Sequence, residues 1–133
     1  MPATGVQLDE VVAVAGFRAA LRGFLRTSET KARRNGLTPQ RYHLLLMIKG
    51  ASDRSETLSV TDLADKLQIA QSTATELVTR AEEAGLVRRI ASPRDGRVAL
   101  VQLTGEGEQR FARVFEELST ERDQLRSAIE ALG

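Results

Sequence analysis

Cysteine and tryptophan are absent from this 133-residue chain, which carries a single histidine, one tyrosine and three prolines. Without cysteine there is no disulfide framework, no thiolate metal site and no thiol redox sensor. With one histidine, a multi-histidine metal site is excluded. Any nucleophile–base pair would have to use His43. No run of about 18 apolar residues exists to cross a membrane. Met1 to Glu10 holds two acids and no basic residue, so no secretory signal is expected, and the expected location is cytoplasmic. There is no paired acid/base constellation, no glycine-rich phosphate loop and no metal cluster. The composition therefore leans against an enzyme, and no cofactor is expected. What remains is an ordinary globular composition, 41% apolar and 28% charged, long enough for one cored domain with or without an interaction arm.

The net charge of +1 hides a gradient: residues 1–50 balance at +5, residues 51–104 at −1 and residues 105–133 at −3. Within 86–97, four arginines (Arg88, Arg89, Arg94 and Arg97) face Asp95 alone. A weak global charge with a sharp basic cluster suits a partner of limited footprint, such as a DNA groove. A solvated hairpin is the plainer alternative.

Residues 6–34 read as one long helix, with Val14, Phe17, Leu21 and Phe24 recurring at three- and four-residue steps and Asn35-Gly36 ending it. Thr38 and Pro39 restart a helix as N-cap and first position. Its run Leu44 to Ile48 is apolar on every face, which places it at the centre of the core. After a polar loop at 50–57 come two short amphipathic helices. Ser59 caps the first, which repeats at Val60, Leu63, Ala64 and Leu67; the second repeats at Ala74, Leu77, Val78 and Ala81 and stops at Gly85. Joined by the turn 68–71, they fit a helix-turn-helix. Leu86–Ile90 and Val98–Leu103 then flank Ser92-Pro93-Arg94-Asp95-Gly96-Arg97 as a β-hairpin. Thr104 caps a single final helix running to about Leu132.

The expected fold is mainly α with a small β-hairpin wing: a helix (1–36), a winged helix-turn-helix unit (37–104) and a helix (105–133). The terminal helices carry apolar seams at Val14, Phe17 and Leu21 and at Phe111, Phe115, Leu118, Leu125, Ile129 and Leu132, interrupted by Arg122. A partner subunit is the simplest cover for them; the terminal helices packing on each other in a monomer is the alternative.

Four stretches in this order, Leu37-Thr38-Pro39-Gln40-Arg41-Tyr42, Ser59-Val60-Thr61-Asp62-Leu63-Ala64, Ser72-Thr73-Ala74-Thr75 through Gly85-Leu86-Val87, and Ser92-Pro93-Arg94-Asp95-Gly96-Arg97 with Leu103-Thr104 beyond it, together resemble the MarR family over roughly residues 10–130. The combination of an Asp-x-Arg wing with Leu-Thr at fixed distance, after a helix ending in Gly-Leu-Val, is more specific than any one piece. The resemblance implies a homodimeric winged helix-turn-helix transcription regulator. Its terminal helices would interlock, and each subunit would offer a recognition helix to the major groove and a wing to the minor groove of double-stranded DNA at a palindromic or pseudo-palindromic site. It also implies release by a small aromatic effector bound between the dimerisation and DNA-binding regions. Arg97 matches the family's wing arginine and Asp95 the carboxylate that orients it, although Asp95-Gly96 is also plain turn chemistry. Arg94 is a candidate phosphate contact.

On the recognition helix, residues near the N-terminus reach base edges, which makes Gln71, Ser72, Thr73, Thr75 and Glu76 candidates, with Arg80 to the side. Each hydroxyl could equally be a cap or a solvated group. Glu76 departs from the family, which commonly has arginine there. It could accept from a cytosine amino group or be neutralised by Arg80 at i+4; the second is the favoured expectation. For the effector, Phe17, Tyr42, His43 and Met47 are candidate lining residues, against core packing for Tyr42 and Met47 and a surface position for His43. A winged-helix protein–protein adaptor without DNA binding would account for the low net charge and Glu76 but leaves the arginine-rich wing unexplained.

Overall fold

The computed structural model describes residues 5–133. Residues 1–4, which open both the expected 1–36 segment and the stretch read for a secretory signal, lie outside the described residues. Helix α1 (Leu8–Arg34) is followed by α2 (Pro39–Lys49), strand β1 (Leu58–Ser59), α3 (Val60–Leu67), α4 (Gln71–Glu83), β2 (Val87–Ala91), β3 (Ala99–Leu103), α5 (Gly105–Glu117) and α6 (Ser119–Glu130). No helix among the described residues is long and apolar enough to cross a membrane.

The boundaries follow local chemistry. Thr38 Oγ1 accepts from the Arg41 amide at 3.1 Å, ahead of Pro39 at the first helical position. Ser59 Oγ accepts from the Asp62 amide and Thr104 Oγ1 from the Gly107 amide, each at 3.1 Å. Each satisfies a first-turn N–H that the helix itself cannot. Replacing Thr38 with Ala is expected to cost about 1 kcal/mol, the usual worth of such a cap, read as a lowered denaturant midpoint with unchanged slope. Gly85, just past the end of α4, has φ +77°, a left-handed conformation open to glycine at little cost.

Helix α2 is the hub. Its Leu44, Leu45 and Ile48 are fully buried, and they join Leu63 of α3, Val78 and Ala81 of α4, Val87 of β2, Val101 of β3 and Val114 of α5 in one cluster. The three strands form an antiparallel sheet in the order β1-β3-β2. Val87 pairs with Leu103 and Ala91 with Ala99, while Leu58 pairs with Val101 on the other edge. The two residues of β1 immediately follow the polar loop.

The single C-terminal helix is corrected: the chain turns at Leu118 and continues as α6. No Gly or Pro marks the break, which is held by tertiary donors. Lys31 Nζ on α1 donates to the Glu117 carbonyl at 2.5 Å, and the Arg122 guanidinium donates to the Phe115 carbonyl. That guanidinium also lies 3.8 Å from the Phe115 ring centroid, a favourable cation–π position. The break leaves Leu118 buried and lets α6 lie along α1.

Candidate nucleic-acid interface

Helix α4 turns Ala74, Val78 and Ala81 into the core and leaves Leu77 half-buried. Gln71, Ser72, Thr73, Thr75, Glu76 and Arg80 are all exposed. Its N-cap is Ala70, which has no side-chain acceptor, so no side chain caps the first-turn amides, and such amides attract anions. The Thr75 and Thr79 hydroxyls fold back onto the carbonyls of Gln71 and Thr75 at 3.0 and 2.9 Å. Arg80 Nη2 meets Glu76 Oε1 at 2.6 Å, the i+4 pairing expected from the spacing.

The hairpin tip is ordered by its own polar side chains. Ser92 Oγ accepts from the Arg94 and Asp95 amides at 3.2 and 3.3 Å, and Asp95 Oδ1 accepts from the Arg97 amide at 3.1 Å. The same Asp95 oxygen accepts from Arg97 Nε at 3.3 Å, while the Arg97 side chain stays 94% exposed. Asp95 thus closes the turn and orients the guanidinium at once. Across the groove beside the wing, Asp53 is held below the ordinary carboxyl range, chiefly by hydrogen bonds from Ser55, with nearby Arg94 adding to the effect.

Two residues whose partners the sequence did not show tie α4 to its neighbours. Arg89 on β2 donates to Glu82 Oε1 at 2.5 Å and to Thr79 Oγ1 at 3.2 Å, both on α4. Thr104 Oγ1 donates to the Gly85 carbonyl at 2.6 Å while capping α5, joining the end of α4 to the start of α5. The Leu-Thr pair was the available signal for Thr104. For Arg89 the basic cluster marked its charge but not its partners, which lie on another element.

Away from this face, a cavity of about 410 Å³ opens between α1, α2 and the α5–α6 corner. Tyr42 and His43 line it together with Phe24, Leu46, Phe115 and Arg122. Phe17 and Met47, expected beside them, do not line this cavity. Phe24, two turns further along α1, takes the place expected for Phe17. On α2 the cavity face is Pro39, Tyr42, His43 and Leu46; Met47 is 100° further round and packs against the core. Burial pushes the Tyr42 phenol up, against the opposing charge of Arg122.

The expected seam is also partly corrected. Phe111 and Leu118 are 7% and 1% exposed inside one chain, and Phe111 stacks on Tyr42 and Phe115 at 5.8 and 5.4 Å. Their heptad-like spacing serves the protomer core, which leaves little of them for a partner. Val14, Ile129 and Leu132 stay exposed, joined by Val6, Leu8, Val11 and Val12; Phe17, Leu21, Phe115 and Leu125 are half-buried.

Helix-turn-helix, wing and flanking helices define a winged helix-turn-helix protein. The sequence profile of the MarR family matches residues 35–98. The chain is 33% identical over 94 residues to the HTH-type transcriptional regulator FarR of Neisseria gonorrhoeae, covering 71% of this chain and 59% of that protein. It is 28% identical over 82 residues to the HTH-type transcriptional repressor MdtR of Bacillus subtilis, covering 62% of this chain and 50% of that one. The chain thus spans little more than half the length of these two curated relatives. A MepR variant of Staphylococcus aureus bound to an oligodeoxyribonucleotide superposes with TM-score 0.66 at 21% identity, covering 84% of this chain and 79% of that one. AbsC, a MarR family transcriptional regulator from Streptomyces coelicolor, gives 0.67 at 23%, covering 90% and 80%. The chain shares its fold with these two structures.

Proposed function

We propose that this protein is a homodimeric, sequence-specific DNA-binding transcription regulator, not an enzyme, acting as a repressor that a small aromatic ligand releases. The observation that carries this reading is the arginine-tipped wing fastened to an exposed polar helix. Arg97 is presented to solvent by Asp95, and Arg89 ties the wing root to α4. Such a unit offers a helix to the major groove and a cation to the narrow, strongly negative minor groove. Gln71, Ser72, Thr73, Thr75, Glu76 and Arg80 would face the bases and backbone, and Arg94 a phosphate. The oligodeoxyribonucleotide on the MepR variant supports the same use of this fold.

The dimer reading rests on the exposed valines and leucines of α1 and the end of α6, with segments 1–36 and 105–133 as the dimerising parts. Two recognition helices must then stand roughly 34 Å apart to enter successive major grooves. The cavity beside Tyr42 and Arg122 lies between the dimerising helices and the core helix. A ligand favouring a dimer of different spacing would weaken DNA binding through linkage.

Selection of bound duplexes from a random pool tests binding, symmetry and register together. The expected product is a palindromic or pseudo-palindromic site with half-sites about 10 base pairs apart, bound with strong salt dependence. A protein that ignores every duplex in low salt, as an adaptor would, overturns the reading. A stable lone subunit in sedimentation at micromolar concentration overturns the dimer.

A further inference from the structure

The outward face of α4 is largely occupied with itself. The Thr75 and Thr79 hydroxyls are spent on helix carbonyls, and Thr79 also accepts from Arg89. In the middle of the face, the groups left to meet a base edge are Glu76 and Arg80, with side chains 60% and 63% exposed and 2.6 Å apart. A lone carboxylate there would be repelled by phosphate. Paired with Arg80 it is electrically neutral as a unit, so it approaches the groove at reduced cost.

A carboxylate at neutral pH is an acceptor only. Of the groups lining the major groove, guanine N7 and O6, adenine N7 and thymine O4 are acceptors and repel it. Cytosine offers the N4 amino donor without an acceptor of its own beside it, whereas the adenine amino group sits next to N7. We infer that Glu76 selects a cytosine in each half-site, accepting from N4, with Arg80 as the positioning residue that fixes the carboxylate. A guanidinium carries five N–H groups, so the Glu76 contact leaves others for the neighbouring backbone. This rests on the DNA-binding reading and makes it specific.

The test is affinity on the selected duplex, with each half-site position replaced in turn by all four base pairs. Wild type is expected to prefer cytosine at one position by about tenfold. Glu76→Gln is expected to shift that position towards adenine, which glutamine reads through N6 and N7. Glu76→Ala is expected to level it, with the other positions unchanged in both variants. Arg80→Lys, which keeps the charge and loses the fork, is expected to narrow the cytosine preference. Identical preferences in wild type, Glu76→Gln and Glu76→Ala overturn the inference while leaving DNA binding intact. So does a uniform gain in affinity in Glu76→Ala, which would show Glu76 acting through charge alone. Failure of wild type to bind any duplex is a different outcome and overturns the DNA-binding reading itself. Glu76 is exposed, and among the described residues the polar partner of its side chain is Arg80, so the variants are expected to fold as wild type does.

Discussion

Arg97→Ala is expected to weaken binding to the selected duplex by more than tenfold and to leave the oligomeric state and the melting temperature unchanged. The side chain is 94% exposed and, among the described residues, its polar partner is Asp95, so its removal takes nothing from the core. The Ser92 contacts and the Asp95–Arg97 amide bond that close the hairpin also survive, because they use backbone donors. What is lost is a cation held in place before DNA arrives. A braced guanidinium gives up less rotamer freedom on entering a minor groove than a free one, and the groove's negative potential is where it gains most. In a dimer the loss occurs twice per site. Anisotropy titration of a fluorescent duplex checks it, with Arg113→Ala on the exposed face of α5 as the control that is expected to bind normally. Unchanged affinity for Arg97→Ala would remove the wing from the interface.

The parts of this architecture that were legible in the sequence are those whose causes are local. Thr38-Pro39, Ser59 and Thr104 each start a helix through a hydroxyl that reaches an amide three residues on, and the sequence shows both ends of that contact. Gly85 and the Ser92–Arg97 turn are equally local, and the period of Ala74, Val78 and Ala81 names the buried face of α4. Where the cause lies far along the chain, the sequence was silent. The corner at Leu118 is stabilised by Lys31, 86 residues away from the carbonyl it satisfies. The strand at Leu58–Ser59 exists because Val101 and Leu100 pair with it. Phe111 and Leu118 illustrate a different limit. An apolar seam at three- and four-residue steps records that a helix face is buried, not which chain buries it. Tyr42 comes from the same chain to stack on Phe111. At the candidate interface, the Glu76–Arg80 pair was readable from spacing and the Asp95–Arg97 pair from the family resemblance, but the Arg89 brace was not, since Glu82 and Thr79 reach it only after β2 has folded back along α4.

Gly107→Ala is expected to be the most disruptive of the glycine-to-alanine changes among the described residues. Gly107 is buried in the first turn of α5, and a Cβ built there would fall 2.1 Å from the Leu86 carbonyl oxygen, 3.0 Å from its carbon and 3.4 Å from its Cα. All three atoms are backbone, so no side-chain rotation relieves the clash. Either α5 lifts away, pulling Phe111 and Val114 out of the core, or the turn after α4 moves, taking Leu86 and Val87 with it. The local hydrogen bonds oppose both movements. The Thr104 amide donates to the Leu86 carbonyl at 3.0 Å, and Thr104 Oγ1 bridges the Gly85 carbonyl and the Gly107 amide. Forcing volume into such a site costs about 3 kcal/mol, which for a domain of this size lowers the melting temperature by roughly 10 °C. Gly105→Ala, two residues earlier in the same turn, meets nothing within 4 Å and is expected to be neutral or slightly stabilising, since alanine is the better helix former. The pair separates crowding from helix propensity. If Gly107→Ala melted as Gly105→Ala does, α5 would not be seated on the α4–β2 turn. The coupling through Thr104 that fixes the end of α4 against the start of α5 would then have no physical basis.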